Sequence, residues 1–407
     1  MIMMIRLRNI LIFIFLYFFV DLLMTQLFLF NFYYNKLEKQ FASDIENRIL
    51  NPNYQYTFAK KKSFKSNYIG QEYTIKTNNL GFRDYEVRDI DKDYNYTIVI
   101  GDSFVEGVGL EYEETVVGHL NKKIRSYNIK NYEFLNAGVT AYSSYIYLKK
   151  IVTIIKENPW LKTDSVIVVL DKSDIPDAQS YLDRPKSFPD KKVEHKFKST
   201  QFFLKDLKKG DLWRFLYKQT TTGFVLKKIG DILDLKRRNL RDRYLLSKRL
   251  EKSFFKINIK QINALRSTNV RKGITNFLHG DLWETKTKKY LDFEIENVVL
   301  LKNFLDKKNI ELLVVIFPWP FELVNETPRE NYKNYVIQKL MNKKINYISA
   351  YKYFLDGDIY TNISDHYIYN DQHLNGQGNS LLSDVIWKNY LINEVERTVS
   401  YRPNYEN

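Results

Sequence analysis

Four short runs of β-branched and other apolar residues, at 97–100, 133–136, 166–170 and 312–317, alternate with stretches in which apolar positions recur every three or four residues, such as 143–156 and 298–308. Short apolar runs bounded by polar turns read as strands buried on both faces, and the helical stretches supply the crossovers that parallel strands need. The pattern predicts an α/β three-layer sandwich, a mainly parallel sheet covered on both faces by helices. In such a sheet the functional groups gather at the carboxyl ends of the strands.

A different pattern opens the chain. Residues 9–30 are almost continuously apolar and aromatic, long enough at 1.5 Å per residue to cross a ~30 Å hydrocarbon core. Asp21 within it costs about 2.5–3.5 kcal/mol on insertion scales, which the many Leu, Ile and Phe residues offset. Arg6 and Arg8 precede the stretch and Tyr33 and Tyr34 follow it. Charge before the span favours an N-inside orientation, with Lys36 and Lys39 behind it pulling the other way. No small-residue cleavage site follows, so the stretch reads as an uncleaved single-pass anchor, with the rest of the chain outside the cytoplasm. The expected organisation is an anchor at 1–35, a linker and brace at 36–92, and an α/β domain at 93–400 with a helical insertion at 181–290.

Charge marks that insertion. Residues 181–290 carry a balance of +18, against −3 for the remainder of a chain whose net charge is +15. Leu204, Leu207, Leu212, Phe215 and Leu216, then Val225, Ile229, Ile232 and Leu233, recur at helical spacing between the basic residues, which predicts amphipathic helices. Such a surface suits anionic lipid headgroups or an anionic polysaccharide, and equally a plain solvated face. No nucleic-acid-binding motif accompanies it, and an exported position argues against that partner. The absence of cysteine excludes disulfides, thiol catalysis and cysteine-bound metals. Gly107 and Gly109 lack the Lys-Ser/Thr ending of a phosphate loop. No cofactor or metal is expected.

Candidate chemistry begins at Gly101-Asp102-Ser103, directly after the first strand run. A serine at a strand-to-helix turn exposes its hydroxyl beside backbone N–H groups that can hold an oxyanion, but it needs a base, and the base needs an orienting acid. Of the five histidines, His119 falls in the first predicted helix, and His195 and His279 lie in the basic region. His373 sits in a polar turn, Asp371 to Gly378, ahead of Leu381, Leu382, Val385 and Ile386 at helical spacing. His373 is the expected base and Asp371 its orienter. Asp365 and His366 form a competing pair that no glycine-rich turn follows. Trp319, in the Pro318-Trp319-Pro320 turn after the fourth strand run, is expected to wall the crevice or simply to pack.

Gly101-Asp102-Ser103-Phe104 resembles the first block of the GDSL or SGNH hydrolase superfamily, Asn136-Ala137-Gly138 resembles its second block, and Asp371 with His373 its last, all in the family's order. The resemblance implies a Ser103, His373, Asp371 triad with Ser103 and Gly138 N–H groups in the oxyanion hole. The third block departs from the family. Where an Asn-Asp pair is usual, the chain has Asp171-Lys172-Ser173-Asp174, and Ser173 occupies the asparagine's place with a single hydroxyl donor. The acid often stands three residues before the histidine, where this chain has Asn370; an amide cannot stabilise an imidazolium by charge, which favours Asp371. Residues 77–84 resemble a segment ahead of the nucleophile block in membrane-anchored members; there Arg83 is expected to pair with Asp84 or another acid, or else to hold an anionic substrate group. The implied activity is that of a serine esterase or O-acyltransferase on an acylated carbohydrate or other ester of the cell envelope. The alternative is a non-catalytic protein of the same fold that binds glycan, lipid or a membrane acyltransferase partner.

Overall fold

The computed structural model describes residues 47–54, 56–182, 221–270 and 272–391, with Asn9 and scattered positions from 12 to 21. The chain divides into two compact units at 42/43, 188/189 and 255/256. The larger, 43–188 with 256–407, holds the sheet. Helices at 259–267 and 288–306 belong to this unit, so the inserted segment ends well before the expected residue 290. The other unit contributes one long described helix, Thr221–Leu250, which carries nine lysines and arginines against three aspartates. Leu204 to Leu216 and His195 lie outside the described residues. So does most of the apolar stretch 9–30; among the described residues no helix is long and apolar enough to cross a membrane.

Eight strands form one mixed sheet: β3 (Ser63–Tyr68), β4 (Gln71–Thr77), β5 (Arg83–Asp84), β6 (Asn95–Ile100), β7 (Tyr132–Asn136), β8 (Lys162–Leu170), β9 (Glu311–Ile316) and β10 (Asn346–Ser349). The order is β10-β9-β8-β6-β7-β5-β4-β3, with β10, β9, β8, β6 and β7 parallel and β5, β4 and β3 antiparallel. A separate ribbon pairs β1 (Arg48–Leu50) with β2 (Tyr56–Phe58). All four predicted strand runs are present, each starting one to four residues before its expected position. The segment expected as linker and brace contributes the antiparallel third of the sheet.

Alternation along the strands divides the core, because successive side chains point to opposite faces. Ile98, Ile100, Val166, Val168, Val314 and Ile316 join one hydrophobic cluster with α3 (Ser144–Glu157), α7 (Lys288–Asp306) and α8 (Glu326–Asn342). Val99, Ile167, Val169, Leu313 and Val315 are equally buried outside that cluster, on the side of α2 (Val116–Ser126) and α10 (Gly376–Ile386), which pack on each other. Both faces being covered explains why these strands are continuously apolar.

Candidate active site

Ser103 opens a four-residue helix, α1 (Ser103–Glu106), at the carboxyl end of β6. Asp102 caps that helix, its Oδ1 accepting the Phe104 N–H at 3.0 Å. As the first residue of the helix, Ser103 has an N–H with no intrahelical partner. From the far end of the chain, the turn before α10 brings His373 to it, held by Asn375, whose Oδ1 accepts the Gly378 N–H at 2.9 Å. Ser103 Oγ lies 2.8 Å from His373 Nε2, and His373 Nδ1 lies 2.5 Å from Asp371 Oδ1. The same Oδ1 accepts the His373 backbone N–H at 2.8 Å. All three residues are buried. Phe104 covers the imidazole at a ring separation of 4.6 Å.

This order of contacts suits one tautomer: with Nε2 accepting from Ser103, the imidazole proton sits on Nδ1 and points at Asp371. Burial pushes the Asp371 carboxyl upwards, but its bonds with His373 and the Tyr68 hydroxyl outweigh burial and hold it below the usual carboxylate range. It is therefore ionised where an imidazolium would need it.

The competing histidines are elsewhere. His366 Nδ1 lies 3.0 Å from Asn362 O within α9 (Ile359–His366), and Asp365 pairs with Lys260 at 2.9 Å. His119 Nε2 lies 3.0 Å from Gly376 O. Burial lowers the basicity of both rings.

The expected oxyanion donors fare differently. In the loop after β7, Ala137 N–H donates to Val99 O at 2.8 Å, Val139 N–H to Gly101 O at 3.3 Å and Tyr142 N–H to Val139 O at 3.3 Å. Thr140 N–H donates to Glu106 Oε2 at 2.6 Å. Gly138 N–H is likewise engaged, on Asn136 Oδ1 at 3.1 Å. Its glycine has another reason: a Cβ there would stand 2.5 Å from Glu106 N and 2.7 Å from Val105 Cβ, so α1 packs directly on this backbone. Ala141, in the same loop, is exposed and held at φ +61°. Ser173 is also committed, its Oγ lying 2.7 Å from Asp102 Oδ2 and 2.5 Å from Asp171 Oδ1.

Four features of the site had no place in the sequence reading. Asp102 Oδ2 stands 3.1 Å from Ser103 Oγ. Asp102, Asp171 and Asp174 bring carboxylate oxygens within 4.8 Å of one another, near enough to share a cation. Burial and neighbouring negative charge push the Asp171 and Asp174 carboxyls well above the usual range. Lys172 is fully buried on Glu322 at 2.8 Å, tying the loop after β8 to the one after β9. The fourth is Tyr68. Among the described residues Arg83 holds no acid: its guanidinium is buried and donates to the carbonyls of Glu106 (2.6 Å), Gly107 (2.7 Å) and Leu110 (2.5 Å). Trp319 is buried against Phe104 and packs rather than lining an open crevice.

No protein-family model matches the chain, and no curated protein matches it in sequence. Among solved structures it is similar to TesA (10% identity over 72% of this chain and 96% of that one, TM-score 0.37). It is also similar to the acetyl xylan esterase AlAXEase (15% identity, 72% and 99%, TM-score 0.37) and to a lipase/acylhydrolase from Enterococcus faecalis (10% identity, 75% and 96%, TM-score 0.36).

Proposed function

We propose that the chain is a serine esterase or O-acyltransferase of the SGNH type, acting through an acyl-enzyme on Ser103. The observation that carries this reading is the unbroken relay from Ser103 Oγ through His373 to Asp371, at 2.8 and 2.5 Å. The order of the sequence blocks supports it.

His373 Nε2 takes the Ser103 proton as Oγ attacks the ester carbonyl, and Asp371 steadies the imidazolium. The tetrahedral oxyanion is held by backbone N–H groups at the start of α1, that of Ser103 first, since the N–H of Gly138 is engaged on Asn136 Oδ1. His373 then returns the proton to the departing alcohol. Water, or a sugar hydroxyl, deprotonated by the same imidazole, releases the acyl group.

In this proposal residues 9–30 tether the protein to a membrane with the α/β unit on the extracytoplasmic side, where an acylated envelope glycan is the substrate class. The +18 balance of 181–290 supports an anionic surface, or a membrane acyltransferase partner, beside it. The test is acetate release by the full chain from p-nitrophenyl acetate and from an O-acetylated oligosaccharide. Release by wild type that Ser103→Ala lacks supports the reading; equal release by both contradicts it.

A further inference from the structure

The hairpin of β3 and β4 lies at the far edge of the sheet from β10, yet its tip reaches the relay. Ile69 and Gly70 make the two-residue turn with φ +51° and +83°, the signature of a type I′ connection. Left-handed backbone is unfavourable for a β-branched residue such as Ile69, so the turn is held by what surrounds it. Tyr68, the last residue of β3, pairs with Gln71 across this turn. Its hydroxyl donates to Asp371 Oδ2 at 3.0 Å and stands 3.0 Å from His373 Nδ1. The phenol ring meets the imidazole edge-on, with centroids 5.2 Å apart and planes at 89°. Beneath it the backbone of Gly109 approaches so closely that a Cβ would lie 3.3 Å from Tyr68 Cδ1.

Asp371 Oδ1 already serves two donors of His373. The hydroxyl of Tyr68 gives Oδ2 its own donor, so the carboxylate is fixed against rotation about its Cβ–Cγ bond from both oxygens. Gln372 Nε2, at 3.3 Å from His373 Nδ1, does not reach it as closely.

We propose that Tyr68 is a positioning residue of the relay: its hydroxyl pins Asp371 Oδ2 so that Oδ1 stays aligned with His373 Nδ1 while the imidazole gains and loses the Ser103 proton. The proposal rests on the reading of Ser103 as nucleophile. It gives the hairpin a catalytic task that a brace would not have.

The test is a double-mutant cycle on the full chain in detergent, with p-nitrophenyl acetate turnover and the rate of phosphonylation by a fluorophosphonate as readouts. Tyr68→Phe keeps the ring and its packing, so it melts with wild type. It lowers kcat about tenfold, the effect of losing one hydrogen bond to a charged group, with KM unchanged. Asp371→Asn lowers kcat by about 10³–10⁴, and in that background Tyr68→Phe costs much less than in wild type, because the task of its hydroxyl is to hold the carboxylate. In 15N-histidine spectra Tyr68→Phe moves the His373 Nδ1–H resonance and leaves those of His119 and His366 in place. Wild-type turnover by Tyr68→Phe, losses that multiply in the double variant, or an unmoved His373 resonance overturns the proposal alone. A wild type that neither cleaves the ester nor takes the phosphonate overturns the reading of Ser103, and the proposal falls with it.

Discussion

Gly138 shows how one residue can satisfy a motif for a reason other than the one the motif suggests. Its N–H is bound to Asn136 Oδ1 and its Cα lies against α1, so the glycine answers a demand for space. Gly138→Ala is therefore expected to act as overpacking does, costing about 1–3 kcal/mol, read as a Tm several degrees below wild type. A Gly138→Ala variant that melts with wild type would contradict this demand for space. Ser103, His373 and Asp371 were legible because each lies in a short string whose local structure, a strand-to-helix turn or a capped helix start, is set by its neighbours. Tyr68 was not. Its partner Asp371 is 303 positions away, and nothing within one string distinguishes this tyrosine from the chain's thirty others. The engagement of Ser173 was equally hidden, since it depends on Asp102 and Asp171 arriving from two different strands.

At the scale of elements, the parallel strands were visible because burial on both faces leaves continuous apolar runs, and α3 and α7 because their apolar positions keep helical spacing. The antiparallel strands were missed for the opposite reason. β3 reads Ser-Phe-Lys-Ser-Asn-Tyr with three exposed or half-exposed polar positions, and β5 has two residues. Only the alternation of Phe64, Ser66 and Tyr68 against Tyr73 and Ile75, around Gly70, carried a hairpin signal. Helix packing also generates a measurable pH dependence. Glu294, on α7, is buried with its Oε2 accepting the Ser144 N–H at the start of α3 at 2.8 Å, and burial pushes its carboxyl up to about 8. The unfolded carboxyl ionises near 4.3. Between those values the folded state holds the extra proton, so the contribution is fully present below about pH 4 and is lost as pH rises to 8. Glu294→Gln keeps the acceptor without the charge. Its Tm is expected to match wild type at pH 4 and to exceed it at pH 8.5; a gap that is the same at both values would show that Glu294 does not titrate between them.

Across the whole molecule, the carboxyl ends of β6, β7, β8 and β9 and the turn before α10 converge on Ser103, as the alternating strand pattern foretold for an open parallel sheet. The antiparallel edge adds Tyr73 and Ile75 to the core, and the tip of its hairpin reaches the relay. Charge separates along the same division: the α/β unit carries the relay, while the long basic helix Thr221–Leu250 belongs to the other unit. The legible part of the molecule is thus the part whose residues are chosen by burial or local chemistry, and the edge and its contacts are the part chosen by long-range geometry. The central claim, an activated Ser103, is tested most directly by intact-mass analysis of the full chain after exposure to a fluorophosphonate. The account predicts one phosphonyl adduct on wild type, absent from Ser103→Ala and from His373→Ala. No adduct on folded wild type, or an adduct that survives in Ser103→Ala, would contradict it.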